Sequence, residues 1–222
     1  MPRKMRGIFV ILFAACGLLQ PLQSLAAEMY QIEIVVFSRP AGGYEEHSAS
    51  ALGLRYPSHL ATLQQAPADA SSVGPYQLLP ASARLLNNEE AALARRGYPI
   101  LFHGAWRQSV DTATRATSVL VPGGRSVGNH RELEGYVTLS AESYLHLNVN
   151  LWLSQFAAPG TTTTDPIVLP APDGISDSAA ADATTTVSKL FLLQQQRKLR
   201  SGELHYFDHP RFSALVMVKP VE

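Results

Sequence analysis

Cysteine is almost missing from this 222-residue chain: Cys16 is the only one, and it lies inside an N-terminal apolar segment. With a single cysteine no disulfide can form within the chain. Long hydrophobic runs are scarce as well. The segment from Ile8 to Leu19 is well short of the roughly 20 residues that a membrane-spanning helix needs, and no later stretch approaches that length. Charge of one sign is not in excess either, since 18 basic residues balance 18 acidic ones. The electrostatic footprint of a nucleic-acid binder is therefore absent.

What is present at the N-terminus has the layout of a secretory signal peptide. Arg3, Lys4 and Arg6 form a basic start, Ile8 to Leu19 an apolar core, and Ser24-Leu25-Ala26-Ala27 a small-residue cleavage site before Glu28. Residues 1–26 are expected to be removed on export to the periplasm, which takes three bases and no acid and leaves the remainder mildly acidic. Phe13-Ala14-Ala15-Cys16 offers a lipoprotein cleavage site as the alternative, but Phe13 stands where an aliphatic residue is usual. Residues 27–222 are long enough for one core and contain no clean linker, so a single domain is expected.

Strand signals dominate that domain. Met29 to Phe37 alternates, with Ile32, Ile34 and Val36 on one face and Gln31 and Glu33 on the other. Residues 39–86 dissolve into Gly, Pro, Ser and Ala and read as a long surface excursion. One helix follows, with Asn87 or Asn88 as its cap, Glu89 and Glu90 in its first turn, Arg95 and Arg96 in its last, and Gly97 as its stop. Tyr98 to Gln108 reads as a strand whose Pro99 puts it at a sheet edge, and Pro122-Gly123-Gly124 as a turn. Glu132–Ser140 and Tyr144–Leu153 make an antiparallel hairpin. Leu145, Leu147, Val149, Leu151 and Leu153 face inward there, while His146, Asn148, Asn150 and Trp152 face a wetter side. Residues 157–187 are rich in Thr, Ala, Pro and Asp and read as a flexible loop. Strands at Lys189–Leu199, Glu203–Phe207 and Ser213–Lys219 close the chain, with a tight turn at Ser201-Gly202. The expected fold class is α+β: a mainly antiparallel β-sheet with one clear helix and long irregular loops.

The densest run of chemistry is Arg200-Ser201-Gly202-Glu203-Leu204-His205-Tyr206-Phe207-Asp208-His209-Pro210. Such a run is too polar for a plain buried strand and too aromatic for a plain solvated loop. A metal ion is one reading, with His205, Asp208 and His209 as ligands and His103 or His146 completing the shell. On an extended strand, however, His205 and His209 lie about 13 Å apart, so no metal or other cofactor is expected. A glycoside hydrolase using Glu203 and Asp208 is another reading, but neither a zinc-peptidase motif nor a Gly-x-Ser-x-Gly elbow is expected.

Three stretches, Tyr30-Gln31-Ile32-Glu33-Ile34-Val35-Val36-Phe37, the Tyr98–Gln108 segment with His103, Trp106, Arg107 and Gln108, and the Arg200–Pro210 run, together resemble the CsiV family of periplasmic peptidoglycan-binding proteins of Gram-negative bacteria. The Gly135–Leu153 hairpin fits the same pattern. The resemblance implies a non-enzymatic protein that binds peptidoglycan and supports a class A penicillin-binding protein through that synthase's outer-membrane lipoprotein activator. It brings no binding residues with it, so the site is chosen on chemistry. Peptidoglycan presents sugar rings, amides and free carboxylates, which call for aromatic faces, amides and arginines. Arg200, Glu203, His205, Tyr206, Asp208 and His209 on one hairpin, with Trp106 and Arg107 on a neighbouring strand beside Gln108, supply them. The structural alternative is that Arg200 pairs with Glu203, Asp208 holds a turn and Trp106 is core. A protein-interaction module without glycan affinity is the third functional reading.

Overall fold

In the computed structural model, residues 28–39, 54–66, 73–158, 161, 167–171 and 186–221 are described. The expected leader with Cys16, and parts of the two long loops (40–53, 67–72, 159–160, 162–166 and 172–185), lie outside the described residues. In chain order the elements are β1 (Met29–Ser38), the short β2 (Leu60–Ala61), β3 (Gln64–Gln65) and β4 (Gln77–Leu78), α1 (Asn87–Arg95), β5 (Ile100–Ser109), β6 (Ser118–Leu120), β7 (Gly123–Val127), β8 (His130–Ala141), β9 (Leu145–Phe156), β10 (Val187–Leu199), β11 (Leu204–Asp208) and β12 (Phe212–Pro220).

Two sheets result. The first runs β11-β12-β1-β5 and is antiparallel throughout; the second runs β10-β9-β8-β6-β2, with β7 also on β8 and only β2 against β6 parallel. Alternation decides what each sheet buries. Ile32, Ile34, Val36, Trp106, Phe207 and Val216 from the first sheet share one core with Leu133, Leu139, Leu147, Val149, Leu151 and Leu193 from the second. Removing such side chains from water contributes roughly 1.5–3 kcal/mol each, which holds the two sheets together. The α+β, mainly antiparallel expectation is met, and β5 is an edge strand as Pro99 indicated.

Three local expectations need correcting. Pro122-Gly123-Gly124 is no turn: Gly123 opens β7, and a Cβ there would overlap the Leu101 carbonyl of β5, so glycine is needed for close backbone approach. The strand Val187–Leu199 and the strand Leu204–Asp208 do not form one hairpin. They belong to different sheets, and Ser201-Gly202, with Gly202 at φ 79°, carries the chain from one sheet to the other. Leu199 and Phe207 both enter the shared core, and that burial decides the crossover. Finally, neither Asn87 nor Asn88 caps α1; Leu86 is its N-cap, and Asn87 Nδ2 donates to the Ala81 carbonyl. The described ends of the long loops also pack. Leu169 and Val187 are buried with Trp152 and Leu190, and Leu54, Tyr56 and Ile167 lie against them.

Candidate functional site

Strand alternation divides the C-terminal run. Tyr206 and Asp208 lie on the outer face of the first sheet, while Phe207, between them, is fully buried on the core side. Asp208 Oδ1 accepts from Arg39 Nη1 (2.7 Å), Tyr206 Oη (2.8 Å) and Ser213 Oγ (2.9 Å). Burial pushes its carboxyl up, but the Tyr206 and Ser213 hydrogen bonds with the Arg39 charge outweigh it, and the pKa is lowered. At the other end of β11, Arg200 Nη1 stands 3.7 Å from Glu203 Oε1, and His205 Nε2 stands 3.3 Å from the Arg200 carbonyl. His209 sits in the β11–β12 turn, where its Nδ1 accepts from the Arg211 amide and its ring lies against Phe191 and Phe212. Because the Asp208 side chain is half exposed, its three bonds are worth little. Asp208→Ala is expected to lower stability by only about 1 kcal/mol, read as a shifted urea midpoint at unchanged slope.

Trp106 is corrected outright. It is fully buried, its Nε1 donates to Gln108 Oε1 at 2.8 Å, and it is core rather than a sugar-facing ring. Arg107 on β5 lies three strands from β11, with Gln31 of β1 and Lys219 of β12 in register between, so it does not join the Arg200 group. Its Nε is buried without a hydrogen bond to the described residues. The carboxylates proposed for hydrolysis are separated too. Glu203 and Asp208 stand five residues apart along an extended segment, about 16 Å, beyond the roughly 9.5 Å that an acid and a base across a glycosidic bond require. The Gly-x-Ser-x-Gly spacing does occur, against expectation, at Gly124-Arg125-Ser126-Val127-Gly128. It lies in β7, where Ser126 pairs with Arg131 of β8 across a hairpin, whereas a nucleophile elbow joins a strand to a helix. Among the described residues no group of three or more His, Cys, Asp or Glu side chains could hold a metal ion.

Two clusters were not foreseen. Glu33, assigned to a wet face, is fully buried. It accepts from the Leu85 and Leu86 amides at 2.5 and 2.8 Å and from His103 Nε2 at 2.8 Å, and His103 Nδ1 stands 3.2 Å from Glu90 Oε2 on α1. Burial pushes Glu33 up; the bonds from His103, Leu85 and Leu86 outweigh it, so the carboxyl lies below its ordinary range. The clue was the unbroken apolar run Ile34–Phe37, which signals a strand covered on both faces. The second cluster surrounds Glu134, which is also buried and accepts from the Arg131 amide (3.1 Å) and Trp152 Nε1 (3.4 Å), with His130 Nδ1 at 3.2 Å. The Tyr56 ring lies 5.2 Å from that of Trp152, and burial, then the Glu134 charge, pushes its phenol up.

Beside this cluster the outer face of the second sheet is polar in consecutive rows. Gln194, Asn150 and Tyr136 are in register across β10, β9 and β8, and so are Gln196, Asn148 and Thr138, with Lys198, His146 and Ser140 beyond. Gln194, Gln196 and Lys198 are exposed. Fold and surfaces define an α+β protein of antiparallel-rich sheets whose second large sheet carries polar rows on its outer face. The chain belongs to the CsiV family, described as a peptidoglycan-binding protein, whose sequence model matches residues 7–221. No curated protein and no solved structure matches the chain.

Proposed function

We propose that this is a periplasmic, non-enzymatic peptidoglycan-binding protein. Residues 1–26 export it, and it supports cell-wall synthesis by a class A penicillin-binding protein through that synthase's outer-membrane lipoprotein activator. The observation that carries the reading is membership of a peptidoglycan-binding family over residues 7–221, which includes all the described strands. Arg200 fits the chemistry. Its side chain is 84% exposed and its pairing with Glu203, at 3.7 Å, is loose, so a stem-peptide carboxylate can replace that partner with a shorter, bidentate contact. Glu203, His205, Tyr206, Asp208 and His209 complete the C-terminal set, with Tyr206 and Asp208 held in fixed orientation by Ser213 and Arg39.

A specific observation favours a second, protein-binding surface. Leu204 and Tyr206 are exposed on the edge strand β11, where a partner can add a strand or seat an aromatic anchor. One experiment separates the readings. Purified residues 27–222 are expected to sediment with isolated sacculi and to release no muropeptides. Protein that stays in the supernatant yet captures the synthase or its activator is an interaction module, and released muropeptides identify a hydrolase.

A further inference from the structure

We infer that the outer face of β8, β9 and β10 is the glycan-binding platform, taking the N-acetylated sugar strand rather than the peptide stems; this rests on the peptidoglycan-binding reading. Two of the polar rows on this face supply four amides, Gln194, Asn150, Gln196 and Asn148; on β8 the Thr138 hydroxyl is shared with Ser118 at 2.6 Å and the Tyr136 ring packs against the Trp152 cluster. Each amide carries both donors and an acceptor, which matches a ligand whose hydroxyls and acetamido groups are themselves both. Neighbouring strands lie about 4.8 Å apart and same-face residues about 6.6 Å apart along each strand, so these groups form a regular lattice suited to an extended chain.

The residue choice is not explained by folding. Asparagine is depleted in strands, yet two stand on one face of β9, which is paired on both sides. Their visible structural return is one bond, Asn150 Nδ2 to Asn148 Oδ1 at 2.9 Å, which orients the pair rather than tying it to another element. Gln194 and Gln196 make no side-chain hydrogen bond with the described residues. Positions that break a local rule without a compensating contact are where function is expected. A protein partner is the poorer fit, because interface cores are rich in aromatic residues, Met and Arg, and these two rows hold a single aromatic.

Charge gives the platform a direction. Lys198 stands in the row beyond Gln196, and Arg200 follows two residues later. At the opposite end Trp152 and Glu134 occupy one row, and Tyr56 packs beside them. In a strand lying along β10, the acidic stem on the sugar at that end meets Lys198 and Arg200, continuous with the C-terminal group.

The test uses the mature chain, intact sacculi, and glycan strands stripped of stem peptides by an amidase. The Gln194→Ala/Gln196→Ala double variant changes only exposed side chains on an edge strand and should keep the wild-type circular dichroism and Tm; Asn148→Ala is the second probe. Losing one amide hydrogen bond at each position should make the double variant bind both ligands about thirtyfold more weakly, which converts to about 2 kcal/mol. Arg200→Ala should weaken binding to intact sacculi alone. Wild-type affinity in both face variants, or failure of the wild type to bind stripped strands, overturns the platform and leaves the peptidoglycan-binding reading standing. Failure of the wild type to bind intact sacculi overturns both.

Discussion

Glu33→Ala should lower stability by about 3–5 kcal/mol, the range for removing one partner from a buried charged network. The mutation removes a carboxylate with no solvent exposure that is the acceptor for three donors: the Leu85 and Leu86 amides and His103 Nε2. Those donors stay in place and lose their partner, and a buried unsatisfied donor costs about 1–3 kcal/mol. The two amides lie at the start of α1, so Glu33 fixes the helix to an inner strand of the first sheet from 52 and 53 residues away in sequence. For a chain of this size each kcal/mol moves Tm by about 2–4 °C, and a fall of roughly 10 °C is expected by calorimetry. Glu33→Gln keeps an acceptor and should lie between the two. Glu90→Gln, at a side chain 37% exposed, should change little.

The same residue sets a pH dependence. The folded-state pKa of Glu33 is lowered from the ordinary 4.5, so the unfolded chain binds the proton more readily. The stabilisation is then complete above the unfolded value and is lost as pH falls through the folded one. Asp208 shifts in the same direction but is half exposed and contributes less. Urea midpoints measured from pH 7 down to pH 3 should fall steeply for the wild type and less steeply for Glu33→Gln. Parallel slopes in the two proteins would assign the acid sensitivity elsewhere.

Legibility in the sequence followed the range of the interactions. The alternations in Met29–Phe37 and Leu145–Leu153 reported their core faces correctly, because a strand's own pattern decides which residues share a side, but Trp152, assigned to the wetter side, is buried with Leu169, Val187 and Leu190. The end of α1 was legible for the same reason: Gly97, at φ 80°, is a local stop. Its beginning was not, since the capping group is a carboxylate on β1. Glu33 was misread because Gln31 and Glu33 look like a wet face unless the segment Ala81–Leu86 is known to cross over them; that segment supplies the Ala83 carbonyl to Gln31 Nε2 and two amides to Glu33. Ser201-Gly202 has the same appearance whether it closes a hairpin or passes between sheets. The dense Arg200–Pro210 run therefore looked like one constellation and is in fact spread over both faces and both ends of β11. The amide rows were half visible, as Asn148 and Asn150, but Gln194 and Gln196 join them only through the β9–β10 register.

The β8–β9 register, which completes the rows on their other side, depends on a glycine in β8. Gly135 in β8 has φ 129°, a region that side chains rarely adopt, and a Cβ there would overlap the Asn150 carbonyl and crowd Leu151 Cα at 2.8 Å. Both obstacles are backbone atoms of β9, so no rotamer change relieves them. Gly135→Ala should lose about 1–3 kcal/mol to backbone strain and a similar amount to overpacking, about 4 kcal/mol in all. Gly97→Ala is the matched control: its φ is also positive, but nothing lies within 4 Å of the added carbon, so only the strain should appear. The two variants separate further in binding. Gly135 pairs with Leu151, next to the Tyr136–Asn150 pair, and forcing β8 from β9 there displaces one row of the amide lattice. At a temperature where both variants are folded, Gly135→Ala should bind sacculi more weakly than Gly97→Ala. Equal binding would mean that the rows on β8 and β9 do not touch the glycan, even if those on β10 do.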